Sequence, residues 1–331
     1  MSRFVMNARE SLVGQALEGF EAAHGDLVRV HRDPAFVTRA DPARGRVALI
    51  SGGGSGHEPL HTGFVGPGML DAAVPGDVFA SPTALQVRAA IEATDSGAGT
   101  VVIVKNYTGD VLNFSIAADL LSRTHRVETV LVDDDLATES EDEAGPGRRG
   151  TAAVVVVEKV CGAAATAGAP LAEVRDLGRD VVSRSATLSV AFEAPVNPLS
   201  GLRSFELDEG EVEFGVGIHG ERGIETRAAT EAAELVESVT DPLIDALGLG
   251  RGAPVLAVVN GLGATHGLEL NIATHELRRH LDGRGVRIAR SLVGPYVTSL
   301  DMKGFSITLT AVTDELVELW DAPVRTPALH W

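Results

Sequence analysis

Two α/β domains, each a mixed or largely parallel sheet flanked by helices, are the fold this chain predicts, on three observations. At 331 residues it exceeds the usual size of one domain, and 44% hydrophobic residues supply a large core. Short β-branched runs close on Gly or Asn and alternate with helical patterning, which implies α/β layering. In the second half some strands follow one another without a long helix between, which marks that sheet as mixed.

Taken in order, the N-terminal stretch MSRFVMNARESLVGQALEGFEAAHGD mixes charges with apolar residues at helical spacing and lacks the apolar core of a signal peptide. Buried strands are predicted at RVALIS (46–51), TVVIVKN (100–106), VETVLVDD (127–134), PVLAVVNG (254–261) and ARSLVGPYV (289–297). TLSVAF (187–192), EVEFGVGI (211–218) and GFSITLT (304–310) add strands to the second half. Helices are predicted at 82–95, where Ser81-Pro82 supplies a cap and a first-turn proline, and at 110–123, 168–184, 226–247 and 267–281. The run AAVVVVEKVCGAAATAG (152–168) divides between strand and helix by periodicity and is read as a helix. DDDLATESEDEAGPGRRG (133–150) reads as a solvated acidic loop. No fixed-period repeat is visible. The domains are placed at residues 1–185 and 186–331, the break following the helix that ends near 184.

Composition excludes several classes. The net charge of −18 and the 4% aromatic content argue against nucleic acid, whose readers use clustered cations and stacking rings. The single cysteine, Cys161, permits no internal disulfide and fits a reducing cytosol. The most apolar stretch is broken by Glu158 and Lys159, so no membrane span is expected.

SGGGSGHEPLHTG (51–63) matches several motifs in part. His57-Glu58-Pro59-Leu60-His61 spells the zinc-protease signature, but Pro59 sits between the histidines and no third ligand follows at suitable distance. HELRRH (275–280) spaces its histidines five apart, so they diverge around a helix. No metal site is expected. A Walker loop would need Lys-Ser/Thr after Gly56; the dinucleotide fingerprint and the nucleophile elbow both need glycine where His57 stands. Two readings remain. One is a glycine-dense turn whose backbone approaches a small polar ligand; the other is tight strand–helix packing with His57 as a cap. KNYTGD (105–110) delivers Lys105, Asn106, Thr108 and Asp110 at another strand end, although by spacing alone Asp110 reads better as a helix N-cap. FGVGIHGERG (214–223) places His219 among glycines. Ligands in open α/β sheets sit beyond the carboxyl ends of strands, where these loops would meet.

SGGGSGHEP with GFVGPGMLDAAVPGDVFASP, VIVKNYTGD with LNF, GRRG, FGVGIHGERG, VNGLGAT and YVTSLDMKGFSITL occur in one order through most of the chain. Together they resemble the substrate-binding (K) subunit of dihydroxyacetone kinases. The resemblance implies a cytoplasmic two-domain subunit, usually a homodimer, that holds a short keto sugar for phosphorylation. It implies that His219 bonds covalently through Nε2 to the substrate carbonyl as a hemiaminal, that Asp110 is the base for the attacking hydroxyl, and that His57 hydrogen-bonds the substrate. Backbone groups of Gly54, Ser55 and Gly56, with the Lys105 side chain, would complete the pocket. No cofactor is expected on this chain; Mg-ADP or Mg-ATP would sit on an L-type nucleotide-binding partner, fed in some systems by a phosphocarrier. Pro67, where a lysine is common, together with Asp71, Pro75 and FEAPVNPLSGLRSF (192–205), departs from the family pattern. Dihydroxyacetone, glyceraldehyde and tetruloses stay open as substrates, and ATP and phosphoenolpyruvate as phosphate sources. The alternative is a keto-sugar-sensing regulator that docks a transcription factor without phosphoryl transfer. Such a sensor needs capture but no base, so the presence of Asp110 weighs against it.

Overall fold

A computed structural model describes residues 4–139 and 147–331. Residues 140–146 of the expected acidic loop lie outside the described residues. The first half runs α1 (Leu12–His24), β1 (Val28–Arg32), β2 (Ala35–Arg39), β3 (Ala48–Ser55), β4 (Ala72–Val78), α2 (Ala84–Thr94), β5 (Thr100–Lys105), α3 (Thr108–Leu121), β6 (Val127–Val132), α4 (Ala153–Thr166) and α5 (Leu171–Ser183). Its sheet has the order β1-β2-β4-β3-β5-β6, with β4, β3, β5 and β6 mutually parallel and a β1–β2 hairpin on the edge. The second half runs β7 (Ser185–Glu193), β8 (Glu211–Phe214), β9 (Glu225–Ala228), α6 (Ala232–Ala246), β10 (Pro254–Gly261), α7 (Gly267–Arg284), β11 (Arg287–Gly294), β12 (Lys303–Ala311) and α8 (Asp314–Asp321). Its order is β11-β10-β12-β7-β8-β9, antiparallel except for the β10–β11 pair.

The two sheets share a helical layer. One core cluster joins Leu49, Val101 and Ile103 of the first sheet to α4 and α5, and continues into Leu256, Val258 and Leu292 of the second. A second cluster packs α6 and α7 on the far face of the second sheet, and a third packs α2 and α3 on the far face of the first. Because α4 is enclosed on all sides, Ala153 through Ala165 are buried without a polar face. Its four consecutive valines disfavour a helix only weakly, and burial at ~1.5–3 kcal/mol per side chain outweighs that preference. Consecutive residues on a helix diverge by about 100°. Glu158 therefore faces the first sheet, while Lys159 turns the other way and donates to Leu319 O at 2.8 Å.

The chain end returns to the first half. Arg325 N donates to Pro67 O and Ala328 N to Gly63 O, both at 2.9 Å. A Cβ on Gly66 would stand 3.1 Å from Thr326 Cα, so side-chain-free backbone lets the tail close over this loop.

Several expectations change. The glycine stretch is not a turn after the strand: β3 continues through Gly52, Gly53 and Gly54 to Ser55. The predicted helix at 226–247 begins only at Ala232, and Glu225–Ala228 form edge strand β9. The strand expected over 211–218 stops at Phe214, because Gly215 turns with φ +81°. Neither Asp110 nor His57 caps a helix. Tyr107 occupies the cap position of α3 and Asp110 lies in its first turn, while His57 sits in a turn ahead of a short 3-10 segment at Thr62–Phe64. The β1–β2 hairpin, β4 and α8 were not expected, since short half-buried runs give weak periodicity. No described helix is long and apolar enough to cross a membrane.

Candidate functional site

Parallel strands β3, β4 and β5 end side by side, and the loops beyond them carry His57, Phe79 and the Lys105–Asp110 segment. The turn after β3 depends on Gly56 at φ +105°, where a Cβ would stand 2.9 Å from the Phe79 ring. The loop is then tied to the second half: Leu300 N donates to Gly56 O at 2.8 Å, and Thr298 Oγ1 to Glu58 O at 3.0 Å. Phe79 is held in the left-handed region at φ 56°, strain that places its ring against both histidines of the site.

His57 and His219 come from opposite halves and meet edge to face, with ring centroids 4.7 Å apart. Phe79 stacks on His57 at 5.1 Å, and Tyr107 packs edge-on to His219 at 4.4 Å. The His57 ring is buried and donates from Nδ1 to Thr298 O at 2.7 Å, which leaves Nε2 as a lone-pair acceptor. Burial lowers its pKa well below the usual imidazole value, helped by the charges of His219 and Lys105, so the ring is neutral at physiological pH.

His219 sits in a tight loop whose backbone is held by Glu221: the His219 N–H donates to Glu221 Oε2 at 2.9 Å, and ring Nδ1 lies 3.4 Å from Oε1. Burial would raise the Glu221 carboxyl, but hydrogen bonding and charge from His219, a backbone contact and Arg149 outweigh it and pull it down to about 2. Arg149, the second arginine of GRRG, donates to Asp135 Oδ2 at 2.8 Å and to Gly215 O at 3.0 Å, pinning the same loop.

Asp110 is buried in the first turn of α3, its Oδ2 3.9 Å from Lys105 Nζ. Lys105 is fully buried at the end of β5 and donates to Gly52 O at 3.3 Å and to His61 Nε2 at 2.8 Å. A Cβ on Gly53 would come within 2.5 Å of Lys105 Nζ, so this glycine leaves room for the ammonium. Ser55 turns its hydroxyl to Gly76 O at 2.7 Å, and a Cβ on Gly54 would meet the Ala80 nitrogen at 2.7 Å. His57 Nε2, Asp110 Oδ1 and Tyr107 Oη are buried with no hydrogen-bond partner in the protein. Burial pushes the Tyr107 phenol well above its usual range, so it stays a donor. Two acceptors and one donor of this kind suit a small molecule rich in hydroxyl groups.

The structure thus brings His57, Lys105, Asp110 and His219 together around the glycines Gly54 and Gly56 and Ser55. Sequence reasoning missed Tyr107, Phe79, Glu221, Arg149 and Thr298. All five lie inside the quoted motifs; the polar identity of Tyr107, Glu221 and Arg149 was an available signal, whereas Phe79 contributes ring packing and Thr298 meets His57 through its backbone carbonyl, which no side-chain pattern marks. His61 was set aside with the zinc motif, yet both its ring nitrogens are engaged, Nδ1 with Glu158 Oε1 at 2.6 Å. Among the described residues no three His, Cys, Asp or Glu side chains are grouped to hold a metal ion.

A histidine pair and a buried carboxylate with unpartnered polar atoms gather near the strand ends of an α/β sheet, an arrangement suited to binding a small polar molecule. The Dak1 domain model matches residues 18–328, and the chain belongs to this family. It is 42% identical to the PEP-dependent dihydroxyacetone kinase, dihydroxyacetone-binding subunit DhaK, of Escherichia coli (strain K12), over 99% of both chains. It is 40% identical to Homo sapiens triokinase/FMN cyclase over its whole length, which is 58% of that protein. Among solved structures, the native dihydroxyacetone kinase of C. freundii superposes with a TM-score of 0.85 at 38% identity, over 99% of this chain and 60% of that one. The dihydroxyacetone kinase operon co-activator Dha-DhaQ superposes with a TM-score of 0.89 at 30% identity, over 95% of this chain and 96% of that one.

Proposed function

We propose that this chain is the dihydroxyacetone-binding subunit of a dihydroxyacetone kinase, a phosphotransferase with an alcohol acceptor. The observation that carries the reading is the His57–His219 pair, with Asp110 and Lys105 at the neighbouring strand end, in a chain 42% identical over its length to a subunit of that name. The nucleotide would come on an L-type partner, and the chain would work in the cytoplasm as a homodimer.

Glu221 Oε1, 3.4 Å from Nδ1 of His219, favours the tautomer that keeps its proton on Nδ1 and its lone pair on Nε2. That nitrogen adds to an unhindered ketone or aldehyde. One C–N bond forms, the carbonyl π pair moves to oxygen, and oxygen ends as a hydroxyl with the proton given up at Nδ1. Solvent relays that proton, while the Glu221 carboxylate stabilises the imidazolium formed on the way. The new hydroxyl donates to His57 Nε2, an acceptor without a protein partner. Glycerol has no carbonyl and is not trapped, and capture fixes the terminal hydroxyl near Asp110, which removes its proton as it attacks phosphorus.

A second reading, a regulator that binds ligand without phosphoryl transfer, is favoured by the likeness to the co-activator. The higher identity to kinase subunits and the retention of Asp110 weigh against it. The deciding experiment pairs the chain with an L-type subunit and each phosphate donor over a panel of short ketoses and aldoses. Asp110→Asn should keep ligand binding and lose roughly 10²–10⁴-fold in turnover. Full turnover in that variant removes Asp110 as the base, and intact binding without transfer under any donor favours the regulator.

A further inference from the structure

Glu158 is an unexpected residue in the middle of α4, fully buried in a helix otherwise built of Val, Ala, Gly, Cys, one buried lysine and a terminal threonine. Its Oε1 accepts from His61 Nδ1 at 2.6 Å, and its Oε2 has no partner. An ammonium only donates, so His61 Nε2 must accept from Lys105, and the neutral ring then carries its proton on Nδ1 toward Glu158. Each contact fixes the next. The result is one buried chain, Glu158–His61–Lys105–Asp110, that ends at the pocket.

We propose that His61 and Glu158 are positioning residues for phosphoryl transfer: through Lys105 they set a second carboxyl behind Asp110, so the lysine keeps an anionic partner when Asp110 takes the hydroxyl proton. This rests on the kinase reading above. With Glu158 protonated, Asp110 is the sole counter-charge of the buried ammonium, which opposes its neutralisation. With Glu158 ionised, that opposition is relieved and Asp110 becomes a stronger base. Burial raises Glu158 to about 8 against the opposing charge of Lys105, and burial lowers Lys105, with Asp110 and Glu158 opposing. Burial and the charges of Lys105 and His57 keep His61 neutral.

The groups facing Glu158 are few. His61 follows β3, Lys105 ends β5, and Ser51 on β3 gives its hydroxyl to Ile103 O at 2.8 Å. His57 and Asp110 lie beyond them. On its own helix Lys159 points to Leu319, and the Cys161 thiol, pushed up to about 12 by burial and Glu158, carries no charge.

Glu158→Gln keeps an oxygen to accept from His61 but cannot ionise. In the ligand-free wild-type chain, ¹⁵N resonances of His61 should report the Nδ1–H tautomer and move with an inflection near pH 8; the variant should keep the tautomer and lose the inflection. With an L-type partner, wild-type kcat should rise through the same pH. The variant should be flat and roughly tenfold slower above it, with KM changed by less than about twofold. A wild-type His61 signal with no inflection in that range, or a variant with the wild-type pH profile, overturns the proposal. Absence of phosphoryl transfer by the wild-type chain overturns the kinase reading instead, and the His61 titration still decides whether the relay exists.

Discussion

Histidines at this pocket differ in task because their second nitrogens touch different groups. His57 gives Nδ1–H to the Thr298 carbonyl and His61 gives its own to Glu158, and burial keeps both neutral. His219 alone faces an ionised carboxylate across a partly open loop. Glu221→Gln can still accept a hydrogen bond but carries no charge to stabilise the imidazolium formed on capture. Capture of dihydroxyacetone, followed by ¹³C NMR of the carbonyl carbon, should slow by roughly tenfold while the bound state remains. An unchanged capture rate would show that Glu221 only holds the loop. Local sequence placed Lys105, Asp110, His57 and His219 in segments that follow strands but left each with a structural reading; the ordered family motifs were what singled them out. Glu158 was legible only as an interruption of an apolar run, since its partner His61 lies 97 residues away and nothing local marks the pairing.

At the scale of elements, the decisive feature is that β3 stays a strand through its glycines. Glycine in a strand weakens it, but here the missing side chains let Lys105 rise beneath Gly53 and let the Phe79–Ala80 backbone pass close to Gly54. Gly53→Ala should fold, since the atom it meets is the movable end of a lysine, with a stability cost of about 1 kcal/mol. The displaced ammonium should leave His61 and raise KM for the ketose; thermal melting together with steady-state kinetics separates the two effects. Wild-type KM in that variant would mean that Lys105 does not position the ligand. Turn composition alone suggested that these glycines ended the strand. The parallel neighbours β4 and β5, which keep the backbone extended, were not visible locally.

For the whole molecule, the shared helical layer makes the Glu158 carboxyl a factor in stability. The folded chain holds that proton to about 8, whereas the unfolded chain releases it near the ordinary 4.5. Between these values the native state binds more protons, so this group's contribution falls as pH rises. Glu158→Gln should therefore gain in melting temperature relative to wild type on going from acid to mildly alkaline buffer. A constant difference across that range would show that Glu158 titrates normally. The alternation of strands and helices predicted the two sheets. It did not predict that α4 would serve both, because periodicity reports one buried face and this helix has no exposed one.

The tail that closes over residues 63–68 also bears on the order of events during synthesis. The loop carrying His61 is made early, but its cover at Arg325 and Ala328 is translated some 260 residues later by their numbering. Until that segment is made, residues 63–68 lack the backbone contacts that cover them.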